Sequence, residues 1–204
     1  MKKVALALAL FLAASAAYGG TPHEALERAA AAMDNGDAAA FQGVIDIDSV
    51  LEKALRTVAR EAKKPETRRA LPQAAAFIFD QAGDEGPKGE ALRGLIISEG
   101  KAFVLNGVSS GVFAGKKIKA FPHGGLLTPL FSNVSLGRKE IVGIGDARPD
   151  GEEFLLPFSL RDYGNDQEYA IVARFAPAGD DWRMVAIENF PELFEQIRKE
   201  ALAQ

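Results

Sequence analysis

Residues 168–199 read EYAIVARFAPAGDDWRMVAIENFPELFEQIRK, and the reading of this stretch decides the fold. Tyr169, Ile171, Ala173 and Phe175 alternate with Glu168, Ala170, Val172 and Arg174, the period of two expected of a strand with one buried face. A Pro-Ala-Gly-Asp-Asp turn follows, and Trp182 to Glu188 supplies a second apolar run. Asn189, with Glu192 three residues on, is placed to cap a helix that carries Phe190, Leu193, Phe194, Ile197 and Ala201 on one side. Its acids come early and Arg198-Lys199 late, which suits the helix dipole. A hairpin followed at once by an amphipathic helix must bury its apolar face against an earlier part of the chain.

Upstream the same period continues. Phe154, Leu156, Phe158 and Leu160 alternate with Glu153, Leu155, Pro157 and Ser159, Tyr163 to Asp166 forms a turn, and Ile141 to Ala147 reads as a further strand. Pro157 cannot donate to a ladder, so its strand is expected at an edge or bulged there. Before residue 135 the spacing is helical. Thr21-Pro22-His23-Glu24 is a capping box with proline at the first helical position, followed by a stripe of Ala25, Leu26, Ala29, Ala30 and Met33 and a left-handed cap at Asn35-Gly36. Asp37 restarts a short turn through Phe41, Val44 and Ile45. Ser49-Val50-Leu51-Glu52 reads as a second capping box, with Asp46 in the entering turn and Leu51, Leu55, Val58 and Ala62 repeating until Pro65. A third helix is expected over Pro72 to Gln81; within residues 90–121, Leu92, Leu95, Ile96, Phe103, Val108 and Val112 fit a helix, but the glycines weaken it by about 1 kcal/mol each and leave the segment unassigned. The class is therefore α+β: N-terminal helices packed on a C-terminal antiparallel four-stranded meander, with a closing C-terminal helix. No linker or repeat divides residues 20–204, which are expected to form one domain.

Residues 1–19 carry an export pattern. Lys2 and Lys3 precede an apolar run from Val4 to Ala14, and Ala17 and Gly19 suit a signal-peptidase site, which places cleavage after Gly19. That run, about 11 residues, falls short of the ~20 that span a bilayer. The expected location is periplasmic or extracellular. There is no cysteine, so neither disulfides nor a lipobox hold the chain. Without Lys2 and Lys3 there are 22 basic against 28 acidic residues, a balance of −6, which argues against nucleic-acid binding.

The order of elements, with DDWRMVAIE as a late strand, resembles the nuclear-transport-factor-2-like (cystatin-like) cone, in which helices fill the concave face of a bent sheet. AMDNGDAAAFQGVIDIDSVLEKAL resembles the N-terminal pattern of bacterial envelope proteins grouped as domain of unknown function family 2939, on Gly36, Asp37, Phe41, Val44 or Ile45, Asp46 and Leu51; WRMVAIENFPELFEQI would be that family's closing strand and helix. The resemblance implies a pocket between helices and sheet, and it supplies no catalytic residues to carry over.

Chemistry-bearing groups are sparse. His23 sits in a capping box and His123 in a Pro-His-Gly-Gly loop. Asp46 and Asp48 would share a side only if extended; Asp48 or Ser49 as a helix cap, with Asp46 in the entering turn, fits them better. Asp162, Asn165 and Asp166 are ordinary turn formers without calcium-loop spacing. No catalytic residue, metal site or cofactor is assigned. Phe158, Tyr169, Phe175 and Trp182 are the candidates to line a pocket. Gly107, Gly111 and Gly115 form GxxxGxxxG, which as a helix would place three glycines on one face for close packing, self-association or insertion at a membrane surface. Ala102 to Ala114 would reach only about 20 Å as a helix, against a ~30 Å hydrocarbon core. Lys53, Arg56 and Arg60 open a basic run ending at Arg69, a candidate surface for peripheral membrane contact. The leading expectation is a non-enzymatic domain for an apolar ligand or an envelope protein partner. The alternatives are a small isomerase- or hydratase-type pocket enzyme and a self-associating structural protein.

Overall fold

The computed structural model describes residues 20–71, 73–122, 124–127 and 134–203. The expected signal peptide, Pro72 and His123 lie outside them. Among the described residues six helices come first: α1 (Pro22–Asn35), α2 (Ala38–Val44), α3 (Ile47–Glu61), α4 (Pro65–Ala70), α5 (Gln73–Ala82) and α6 (Pro87–Ser109), the last followed by a 3-10 turn at Val112–Ala114. Then come β1 (Lys139–Ile144), β2 (Arg148–Asp150), β3 (Glu153–Asp162), β4 (Gln167–Ala178), β5 (Asp181–Ile187) and α7 (Phe190–Ala203). All strand pairs within the sheet are antiparallel, in the order β1-β3-β4-β5, with β2 also on β3. The fold is α+β with a meander, as the periods require.

The strand expected over Ile141 to Ala147 starts at Lys139 and ends at Ile144, and a short further strand, β2, follows it. β1 pairs with β3 from Lys139↔Asp162 to Ile144↔Phe158, and β2 resumes at Arg148↔Leu155. Pro157 faces the break, where its carbonyl accepts from Gly145 N at 2.8 Å. The missing proline donor therefore costs no ladder bond, and β3 is neither an edge strand nor bulged at Pro157. β1 itself is irregular between Ile141 and Gly143.

Helix boundaries follow their caps. The Thr21 box forms: Glu24 N donates to Thr21 Oγ1 at 3.2 Å and Thr21 N to Glu24 Oε2 at 2.7 Å. The second box does not. Asp46 caps α3 by accepting from Ser49 N at 3.1 Å, one turn earlier than the expected Asp48 or Ser49. The reason lies in the sheet: Asp46 N donates to Met184 O at 2.9 Å, so the chain leaves the β5 edge at Asp46 and turns helical there. Asn189 is also diverted. Its Oδ1 accepts from Val172 N and its Nδ2 donates to Ala170 O, both at 2.8 Å, extending the β4 ladder where β5 has ended. Pro65 stops α3 and also starts α4 at its first position.

The main core joins the two halves. Ala25, Leu26 and Ala29 of α1, Val44, Ile45 and Ile47, and Leu193 of α7 meet Leu156, Phe158, Ile171, Ala173, Phe175, Trp182 and Met184. A second cluster, Met33, Phe103, Val108, Val112 and Phe113, lies between α1, α6 and the 3-10 turn.

The other sheet face is braced by Arg174. Its Nε donates to Glu188 Oε1 at 2.6 Å, and its Nη1 lies 2.6 Å from Glu153 Oε2 and 2.9 Å from Asp150 Oδ2, which ties β2, β3 and β5 to β4. The Arg174 hydrogen bond holds the Glu188 carboxyl below its ordinary 4.5. The unfolded chain therefore takes up this proton first, and the contribution is present above pH 4.5 and lost as pH falls below it. Arg174→Met should cost about 1–2 kcal/mol at pH 7, a modest figure because the carboxylates are partly exposed. The cost should shrink toward pH 4, where the Glu188 carboxylate begins to take up its proton and the stabilisation it draws from Arg174 is lost. Thermal unfolding at both pH values checks it; an equal cost at both would show that charge is not the cause.

Candidate functional site

The α1 stripe is built of small residues, whereas the sheet presents large ones. Ala29 and Ala30 stand opposite Phe158, Ile171 and Met184, and the mismatch leaves an apolar cavity of about 270 Å³. Leu26, Met33, Phe41 and Ile45 close its helical side, and Ile141 and Leu160 its sheet side. Val104 of α6 and Phe113 complete it. Among the described residues, the one ionisable side chain on its wall is Lys139.

That lysine is committed elsewhere. Its Nζ lies 2.7 Å from Asp162 Oδ1 and donates to Ser135 O at 3.0 Å and Gly137 O at 3.1 Å, with Ser135 Oγ at 3.2 Å. Ser135 Oγ and Gly164 N each donate to Asp162 Oδ1 at 2.8 Å. The ammonium also stands 5.4 Å from the centre of the Phe113 ring, within cation–π range. Burial pushes the Lys139 ammonium below the ordinary lysine value, while the hydrogen bond and charge of Asp162 act to raise it. Asp162 is only 5% exposed. With Asp162 Oδ1 shared among Lys139, Ser135 and Gly164, the pair clasps residues 135–139 to the end of β3.

The four aromatic candidates separate. Phe158 lines the cavity. Phe175 is fully buried in the core beside it. Trp182 is buried too: it packs edge-on against Phe154 at 5.0 Å and donates Nε1–H to Gly20 O at 3.1 Å. Tyr169 lies at the far end of β4, where its hydroxyl donates to Glu200 Oε2 at 2.9 Å and accepts from Asn165 Nδ2 at 2.8 Å. Burial first, then the hydrogen bond and charge of Glu200, push this phenol up to about 12 against the Asn165 hydrogen bond, which lowers it. What places Phe158 on the wall and Phe175 away from it is the apposition of α1, which strand alternation does not encode.

The glycine stripe is not one helical face. Gly107 is in the last turn of α6, and a Cβ there would lie 2.1 Å from Phe113 Cε2. Gly111 and Gly115 flank the 3-10 turn with φ of 74° and 84°. The expected helical zipper is thus corrected: glycine 107 admits an aromatic ring, and the other two supply left-handed turns.

Lys53, Arg56 and Arg60 are exposed on α3. Arg56 pairs with Glu52 at 2.6 Å, and Arg60 Nε lies 3.9 Å from Glu61. Asp46 and Asp48 do not converge: one caps α3, and the other pairs with Lys101 at 2.5 Å. In the 162–166 turn, Asn165 Oδ1 accepts from Gln167 N at 3.2 Å, and Asp166 has a φ of 59° and pairs with Arg161. His23 Nε2 lies 2.8 Å from Gly145 O, which ties α1 to the loop after β1. Among the described residues, no group of three or more His, Cys, Asp or Glu could hold a metal ion.

Comparison of the chain with protein-family models, with curated proteins and with solved structures yields no match.

Proposed function

We propose that this chain is a non-enzymatic binding domain of the cell envelope that holds a small apolar ligand between its helices and its sheet. The observation that carries the reading is the cavity of about 270 Å³ whose wall, among the described residues, is apolar apart from a lysine already bonded to an aspartate. A dry apolar cavity of ~150 Å³ in a protein core already admits benzene or xenon. Ligand pockets run from ~300 Å³ upward, so the fitting ligands are small and carry few polar atoms. The envelope setting rests on the export pattern of residues 1–19 and on the likeness of residues 32–55 to envelope proteins.

The test uses the chain from Gly20, which holds every contact described above, and the apolar dye N-phenyl-1-naphthylamine. Its fluorescence should rise and shift to the blue on binding. Ala30→Leu fills the cavity from α1; it should abolish the rise while leaving stability equal or higher by about 0.5–2 kcal/mol, as cavity filling does. A wild-type chain that gives no rise, or a stable filled variant that gives the same one, overturns the reading.

A further inference from the structure

Between Glu99 and Glu140 the chain has no acidic residue, yet it carries Lys101, Lys116, Lys117, Lys119, Arg138 and Lys139 in a protein that is acidic overall. The fold sorts these six cations. Lys101 is paired with Asp48, Lys139 with Asp162, and Arg138 with Glu140 at 3.2 Å. Lys116, Lys117 and Lys119 are exposed and have no acidic partner among the described residues. They follow one another along an irregular segment that borders a groove of about 590 Å³. Ile118, Phe121 and Leu136 share that groove, with Arg138 on its far side. Ile118 and Phe121 pack inward on the second core cluster, and Leu136 remains 37% exposed. Nearby in sequence, Leu126 is 83% exposed, on a turn whose Leu126 and Leu127 amides donate to Glu99 at 2.9 and 2.8 Å.

Cations without acidic partners among the described residues, beside the exposed Leu136, match the surface of an anionic bilayer, where lysines meet phosphate headgroups and apolar groups enter the acyl boundary. The α3 face is a poorer match, because Glu52, Glu61 and Glu66 are interspersed among its cations. No described helix is long and apolar enough to cross a membrane, so the contact is one of surface docking. We infer that residues 116–121, with Leu136 and Arg138, form a peripheral docking surface for anionic phospholipid membranes, distinct from the cavity and from the α3 basic face. The groove adjoins the cavity wall: Val112 and Arg138 line the one, and their neighbours Phe113 and Lys139 the other.

The experiment is flotation of the chain from Gly20 with vesicles of phosphatidylcholine, with and without phosphatidylglycerol, at low and high salt. Binding is expected only to the anionic vesicles and should fall with salt, because screening shortens the reach of surface charge. Joint replacement Lys116→Gln, Lys117→Gln and Lys119→Gln should lower partitioning on the order of 100-fold, at roughly fivefold for each cation near the surface. All three side chains are exposed, so the melting temperature should be unchanged. Leu136→Ser should weaken binding while leaving its salt dependence intact. Arg56→Gln with Arg60→Gln should leave binding as it was. Four results would each overturn the assignment: no binding by the wild type, a triple variant that binds equally well, a loss as large in the Arg56 and Arg60 pair, or displacement by soluble glycerol phosphate at matched ionic strength. None depends on dye uptake by the cavity.

Discussion

Asp162→Asn should lower stability by roughly 3–5 kcal/mol, the cost of stripping one partner from a buried ion pair. Lys139 Nζ would keep its carbonyl contacts to Ser135 and Gly137 but lose its compensating charge, in a place where water scarcely reaches either side chain. The close approach of Gly137 to Gly164, where a Cβ on Gly137 would lie 2.2 Å from Gly164 N, depends on the same clasp. Lys139→Met should cost less, because Asp162 retains the donors Ser135 Oγ and Gly164 N. The double variant should be more stable than Asp162→Asn alone, since replacing a buried pair outright is often neutral. Urea unfolding of the four proteins closes a double-mutant cycle. Additive costs, with no coupling beyond about 0.5 kcal/mol, would show that the pair is not the clasp inferred here.

Phe175→Ala is expected to be similarly severe, at about 3–5 kcal/mol. Phe175 is fully buried, pairs across β3 with Phe154 and across β5 with Met184, and its removal opens a void that the sheet cannot close. Phe158→Ala should cost less, because one side of that ring already borders the cavity and has fewer contacts to lose. It should also enlarge the cavity and admit a bulkier apolar probe. Equal costs at the two positions, measured by chemical unfolding, would mean that Phe158 is packed as tightly as the core and that the cavity is closed in solution.

These two pairs also mark where sequence reading stopped. The alternation Phe154-Leu156-Phe158-Leu160 assigns every one of those side chains to the inner face, and the structure packs all four against the main core. It says nothing about which of them meets a bulky helix residue and which meets an alanine. Lys139 follows Arg138 as one more charged residue, with no local sign that it would be buried; only the return of β3 to Asp162 opposite it creates the pair. The caps show the same limit. The Thr21 box needs only its own four residues and forms as read. Asp46 becomes a cap, and Asn189, though it stands just before α7, sends its side chain to β4, because each is claimed by a strand distant in sequence.

What the sequence determined by itself is therefore the periodic content: helices first, a meander, a closing helix, and the apolar face of each. Those follow from side-chain spacing within a few residues, since backbone geometry fixes which positions share a face. Where α1 settles on the sheet, and hence the unfilled volume beside Phe158, was decided only by the tertiary structure. So was the burial of Lys139 against Asp162, and so was the gathering of Lys116, Lys117 and Lys119 around a groove shared with Leu136. Each depends on how side chains distant in the chain fit or fail to fill one another's space, a property of pairs of elements that no single run of residues contains.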